Sequence, residues 1–303
     1  MEFIKTETHF NFVGMMKIAV IGSVAFIILG IASVIYHGGL NLGIDFAGGT
    51  LIQVKFKNEV NIEHIREALK PLGFERSIIQ QFGVQEVLIR TAELSEDLKG
   101  LSGNIDSAFK TSFGEDTYDV RRVEVVGPKV GKDLTQKAIF AIIFSWIGIL
   151  IYVGIRFEFR YALGGIIALV HDILVTVTAL SLAGKEFDLN IVAALLTIVG
   201  FSINDTIVVF DRIRENTRKN IKLQLNECIN LSVNQTLSRT ILTSLTVLMV
   251  LLVLFIFGGT VIHDFTFALL FGVLAGTYST VFIASPIVLL FEKIKPSKIK
   301  RKK

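Results

Sequence analysis

Asp205 lies inside an apolar run, Leu189 to Phe210, whose length suffices to cross a bilayer. A charge at that depth costs several kcal/mol unless it is paired, hydrated or protonated, and such residues mark proton or ion paths more often than not. Its surroundings are polar: Gly200-Phe201-Ser202-Ile203-Asn204-Asp205-Thr206. Asp205 precedes Asp211, where the run meets water, by six residues, or about 9 Å at about 1.5 Å per helical residue. Arg239 opens the next apolar run from that same side. Two antiparallel helices would bring both charges into the same half of the membrane, within about two helical turns of each other. An Asp–Arg pair there would satisfy both, and Ser238, Thr240, Thr243 and Asn204 could complete a hydrogen-bonded, wettable path. The chemistry such a pair supports is a protonation switch: burial favours the neutral acid, an approaching Arg favours the anion, and helix movement loads and releases a proton. The plainer alternative is an Arg239 that snorkels to the headgroups and an Asp205 held by ordinary hydrogen bonds. A second acid, Asp172, follows His171 midway along another apolar run. This pair could relay protons, since His titrates near neutrality, or equally form a buried polar contact between helices.

The elements that must carry these residues are six apolar stretches, 18–35, 138–155, 161–183, 189–210, 240–257 and 265–291. Half of the chain is hydrophobic (51%) and mean hydropathy is +0.61, beyond what soluble domains show. The first stretch follows Lys17 as a signal peptide would, but its core is too long and lacks a small-x-small cleavage site, so a retained helix is expected. Lys and Arg crowd one side: Lys5, Lys17, Arg156, Arg160, the 211–239 loop and the tail from Lys293 to Lys303. The short loops 184–188 and 258–264 hold only Lys185. Both termini are therefore expected in the cytoplasm, with the basic excess drawn to anionic membrane lipids rather than to nucleic acid. Cys228 stands alone, so neither an internal disulfide nor a thiolate metal site is expected.

Residues 37–137 have soluble character and fall on the extracytoplasmic side by the same orientation. Gly43 to Thr50 reads as a glycine turn. Ile52, Val54 and Phe56 alternate as a half-buried strand, and Ile62, Ile65, Leu69 and Leu72 follow helical spacing between an Asn61 cap and Gly73. Two strands, 77–82 and 85–91, meet at a tight turn at Gly83; a second helical stripe (Leu98, Leu101, Ile105, Phe109) follows Ser95. Tyr118 to Val126 is a last strand, in which Arg121-Arg122 breaks the alternation as a bulge would. The order β-α-β-β-α-β predicts a small ferredoxin-like α+β domain, a topology that hosts many functions. Gly127-Pro128 and Gly131 read as a breaker-rich, hinge-like link into the 138–291 helical region. Within 211–239, Ile221, Leu225, Cys228 and Ile229 share one face, which suits either an amphipathic helix on the membrane surface or a connecting helix packed on the bundle. Residues 292–303 form the basic tail. Gly272-x-x-x-Gly276 and Gly164-Gly165 are read as close-packing sites. No nucleophile elbow, P-loop, zinc motif or dinucleotide fingerprint occurs, so an enzyme is not expected.

Taken together, Gly43-Ile44-Asp45-Phe46-Ala47-Gly48-Gly49-Thr50, Val126-Gly127-Pro128, Gly200 to Thr206 and Asp211-Arg212-Ile213-Arg214-Glu215-Asn216 resemble bacterial SecF of the SecD/SecF family, within the resistance-nodulation-division superfamily. The six-span layout with one large loop is similar too; SecD normally carries a much larger extracytoplasmic region. The resemblance implies half of a pseudo-symmetric twelve-helix unit completed by SecD in the cytoplasmic (inner) membrane, associated with the SecYEG channel. It implies proton-motive-force-driven help in drawing exported preprotein outward, with proton passage at Asp205 and Arg239, and no cofactor beyond the proton gradient. Two other readings stand beside it: a proton-coupled exporter of small molecules or lipids, which would usually hold twelve spans in one chain, and a non-transporting scaffold subunit.

Overall fold

The computed structural model describes residues 8–74, 77–82, 85–91, 98–220 and 223–294. Its backbone contacts separate into two compact units, 42–139 and the remainder, 1–41 with 140–303.

The chain enters through α1 (Phe12–Tyr36), which starts where the Asn11 side chain accepts from the Gly14 N–H at 2.9 Å. In the small unit, Gly43 to Thr50 is not the plain turn expected. Gly43 caps one helical turn, α2 (Ile44–Ala47), and Gly48 then reverses the chain at φ +75° with the Pro128 backbone 3.3 Å from where a Cβ would sit. β1 (Gly49–Phe56) follows, then α3 (Ile62–Leu69), capped by Asn61 and extended by a 3-10 turn, β2 (Ile78–Phe82), β3 (Glu86–Thr91), α4 (Leu98–Phe113) and β4 (Tyr118–Val126). The sheet runs β2-β3-β1-β4, every neighbouring pair antiparallel, which is the ferredoxin-like order. Gln53 faces Arg122 and Val54 faces Val120, so Arg121 is the extra residue of a bulge. Ile52, Val54 and Phe56 point into a core completed by Ile65, Leu69, Ile105 and Phe109 from the two helices. Gly83 and Ser95 lie outside the described residues.

Gly127, Pro128 and Gly131 do not act as a run of helix breakers. Pro128 takes the first position of α5 (Pro128–Arg156), where its missing N–H costs nothing, and the helix runs on through Gly131. The helical unit continues with α6 (Phe159–Leu182), α7 (Leu189–Lys219) and α8 (Leu225–Phe257). Its last span is composite: α9 (Thr260–Ser279), a π-helical turn at Thr280–Ala284, then α10 (Ser285–Ile294). Six of these helices are long and apolar enough to cross a membrane. They divide by burial: α6, α7 and the last span are about half buried in the unit, whereas α1, α5 and α8 are mostly exposed. The exposed faces are apolar (Ile18, Ile28, Phe144, Ile155, Val253 and Phe257), as surfaces against lipid or another helical chain must be.

The segment after α7 is no separate surface helix. From Leu225 onward it belongs to α8; Leu225, Cys228 and Ile229 are buried, and Leu225 and Ile229 join a core cluster with Phe210, Ile213 and Val233. Of the two arrangements its amphipathicity allowed, the packed one is found; Ile221 lies outside the described residues.

Candidate functional site

Helical phase decides what each polar residue of α7 meets. Asp188 starts the helix, accepting from the Ile191 N–H at 2.9 Å. From that start Ser202, Asp205, Thr206 and Val209 fall on the buried face, while Asn204, one position out of phase, is exposed. Asp205 is 3% exposed, and its Oδ2 has no hydrogen-bond partner among the described residues.

The expected Asp205–Arg239 ion pair is not formed in this conformation. On α8 the buried stripe is Thr236, Thr240 and Ser244, at i, i+4 and i+8, and Arg239 stands off that stripe on the exposed face. Its guanidinium remains near enough for its charge to act on the Asp205 carboxylate, without touching it. Arg239 instead lines a cleft with Arg156, Asp211, Arg212 and Gln235 between α5, α7 and α8. Thr240 is buried as expected, but the Thr243 hydroxyl donates to the backbone carbonyls of Arg239 and Thr240 within its own helix, both at 3.0 Å. Asn204 and Thr243 therefore do not join a path around Asp205 within this chain.

The polar centre of the bundle is instead Asp172, 1% exposed on α6. Its Oδ2 accepts from the Ser202 hydroxyl of α7 at 2.6 Å and the Ser279 hydroxyl of α9 at 2.9 Å. Its Oδ1 lies 3.0 Å from Nδ1 of His171. One turn further along α7, the Thr206 hydroxyl meets that of Thr280 at 3.0 Å, where the π turn begins. Four hydroxyls and a carboxylate thus tie three helices over two successive turns of α7. Ser202 and Thr206 had shown only as polar neighbours of Asp205; Ser279 and Thr280 had not been singled out. Their one sequence signal is position: they follow Gly272-x-x-x-Gly276, the stripe that lets α9 approach α7. A Cβ on Gly276 would come 2.9 Å from that of Ser202, and one on Gly272 would come 2.1 Å from Cδ1 of Ile198. Among the described residues no three His, Cys, Asp or Glu side chains converge as a metal site requires.

The chain is similar to known proteins. The family model "Protein export membrane protein SecD/SecF, C-terminal" matches residues 106–294, and the "SecD/SecF GG Motif" matches residues 34–60, which include Gly48-Gly49. The chain belongs to the SecD/SecF family. It is 48% identical to the protein translocase subunit SecF of Magnetococcus marinus over 96% of this chain and 95% of that one. It is 44% identical to SecF of Calditerrivibrio nitroreducens over 97% and 98%. The crystal structure of SecDF, a translocon-associated membrane protein from Thermus thermophilus, superposes with a TM-score of 0.86 at 36% identity, covering 96% of this chain but 40% of that one. Six apolar helices in a SecF relative make this a multi-pass membrane protein.

Proposed function

We propose that this chain is the SecF subunit of a protein-export machine, and that with a SecD chain it couples proton-motive force to preprotein translocation across the cytoplasmic membrane. The observation that carries the proton step is Asp205: a carboxyl group at membrane depth, nearly inaccessible, with an unpartnered Oδ2. An anion there is costly, and either a proton or an approaching cation relieves the cost. Arg239 is the cation within reach, and it stands apart in this conformation, so the two can alternate between separation and contact as α7 and α8 move. One charge moved through 100 mV is worth about 2.3 kcal/mol, enough to bias a conformational equilibrium of a few kcal/mol.

The partner follows from coverage and from surface. The chain matches about two fifths of the Thermus SecDF chain, and SecD would supply the remainder of a twelve-helix unit. Asn204, exposed beside Asp205 in mid-helix, suits a protein neighbour better than lipid. SecYEG and the exported preprotein are the further partners, and the basic side meets anionic lipid. In this scheme both termini are cytoplasmic, as the Lys and Arg distribution favours, and the βαββαβ unit works outside.

The test is secretion of a pulse-labelled preprotein in cells whose sole copy carries Asp205→Asn, with membrane level and SecD association measured alongside. Export slowed to the level of a deletion, in an assembled complex, supports the proton step. Normal export removes Asp205 from it and favours a scaffold role.

A further inference from the structure

We propose that the His171–Asp172 pair is a second proton-binding site, and that its protonation state sets how tightly α7 is tied to α9. This rests on the proton-coupled reading above.

The proton inventory is constrained by the hydrogen bonds. The Ser202 and Ser279 hydroxyls lie 2.6 and 2.9 Å from Oδ2 of Asp172, so both are placed to donate to it when Asp172 is an anion. Oδ1 lies 3.0 Å from Nδ1 of His171, close enough for the two atoms to share a proton. His171 is 7% exposed, yet its Nε2 has no hydrogen-bond partner among the described residues. A buried ring nitrogen left open, on a ring whose other nitrogen touches a carboxylate, is the arrangement a relay needs. With the bridging proton on Nδ1, Asp172 is an anion and Nε2 is a bare acceptor. A proton arriving at Nε2 lets the bridging proton pass from Nδ1 to Oδ1. The pair then holds two protons instead of one, its net charge rises from −1 to 0, and no other reactant is consumed.

The mechanical consequence lies in the two serines. Hydrogen bonds to an anionic acceptor are roughly twice as strong as those to a neutral one. The serine ties to α7 and α9 are therefore firm when Asp172 is charged and weak once it is protonated. Ser202 is one turn from Asp205 on α7, so loosening this tie frees the helix that carries the first acid. Ser279 adjoins the π turn Thr280–Ala284, where the regular backbone ladder is already interrupted. The titratable group facing the pair is Tyr278 of α9, its ring stacked on His171 at 6.0 Å; on α7, Asp205 stands three residues beyond Ser202. At the first turn of α6, Arg160 is paired with Glu292; α1 brings only Lys17, exposed.

Infrared difference spectroscopy on the full chain with SecD in lipid vesicles, titrated from about pH 5 to about pH 9, tests this directly. In an Asp205→Asn background a protonated-carboxyl C=O band should appear as pH falls, and adding Asp172→Asn should abolish it. His171→Gln keeps a donor toward Asp172 but cannot take a second proton; it should move the midpoint of the band by about one pH unit or more. In cells, Asp172→Asn at normal membrane level should lower export about tenfold or more, while a purely structural role predicts lost assembly without a titrating band. Absence of a band assignable to Asp172, or unchanged export with Asp172→Asn, overturns the proposal. If Asp172→Asn does not accumulate, an unmoved midpoint in His171→Gln overturns it. The spectrum does not depend on transport. Normal export by Asp205→Asn would thus refute the coupling scheme at Asp205 while leaving the Asp172 band to be judged separately.

Discussion

Gly272→Ala should destabilise the helical unit because α9 and α7 approach too closely at that level for a methyl group. The added Cβ would lie 2.1 Å from Cδ1, 2.3 Å from Cγ1 and 3.0 Å from Cγ2 of Ile198. Non-bonded carbons rest at about 3.5–4.0 Å, so either the helices part by about an ångström or more, or Ile198 turns away. Ile198 has no room to turn: it is fully buried among Leu195, Leu251, Ala268 and Val273. Overpacking of this kind costs about 1–3 kcal/mol, and the better helix propensity of Ala returns up to about 1 kcal/mol. A net loss of about 1–2 kcal/mol is expected. Ile198→Ala alone opens a cavity in the same place and should cost about 2–5 kcal/mol. Combined, the two changes move a methyl group from α7 to α9, so the double variant should lose less than the sum by about 1–3 kcal/mol. Reversible unfolding of the three variants in mixed detergent micelles measures this cycle. A Gly272→Ala variant as stable as the parent would refute the close approach. Additivity within about 0.5 kcal/mol would mean that the two residues do not meet.

Three further outcomes can be checked. Partial burial and the hydrogen bond from its hydroxyl to Asp106 raise the Tyr118 phenol above its ordinary value. Its contribution to folding is therefore complete below about pH 10, the ordinary tyrosine value, and is lost as pH rises above it; Tyr118→Phe should flatten the high-pH loss of stability of the α+β unit, measured by circular dichroism. Asn234→Ala removes the side chain whose Oδ1 accepts from Phe10 N–H and whose Nδ2 donates to the Phe10 carbonyl, both at 2.9 Å. A cost of about 1–3 kcal/mol is expected, read as faster proteolysis ahead of α1. Arg160 is 8% exposed, bridges Glu158 at 3.0 Å and is paired with Glu292. Arg160→Ala should cost about 2–4 kcal/mol, since it leaves a partly buried carboxylate without this counter-charge, whereas Arg160→Met with Glu292→Met should be close to neutral; thermal unfolding in detergent separates the two.

Periodicity and composition carried most of the architecture. Runs of apolar residues located all six long helices, because length and hydropathy are local properties. Alternation at Ile52, Val54 and Phe56, the Asn61 cap and the break at Arg121-Arg122 described the α+β unit down to its bulge. The errors were local ambiguities. Pro128 reads as a breaker or as the first residue of a helix, and only the chain that follows decides; Leu225, Cys228 and Ile229 form an apolar face that fits lipid or protein equally well.

The buried acids divide along the same line. That Asp205 and Asp172 lie within spans follows from residue counting alone, at about 1.5 Å per residue. What each acid touches does not. Asp172 acquires its partners from positions 30 and 107 residues away, on helices whose rotation is set by packing at Gly272 and Gly276. Arg239 stands apart from Asp205 because Thr236, Thr240 and Ser244 claim the inward face of α8. Sequence determined which residues lie in the long apolar helices, since length and hydropathy are short-range regularities. Only tertiary structure decided which of them meet, since that depends on helix rotation fixed jointly by contacts far apart in the chain.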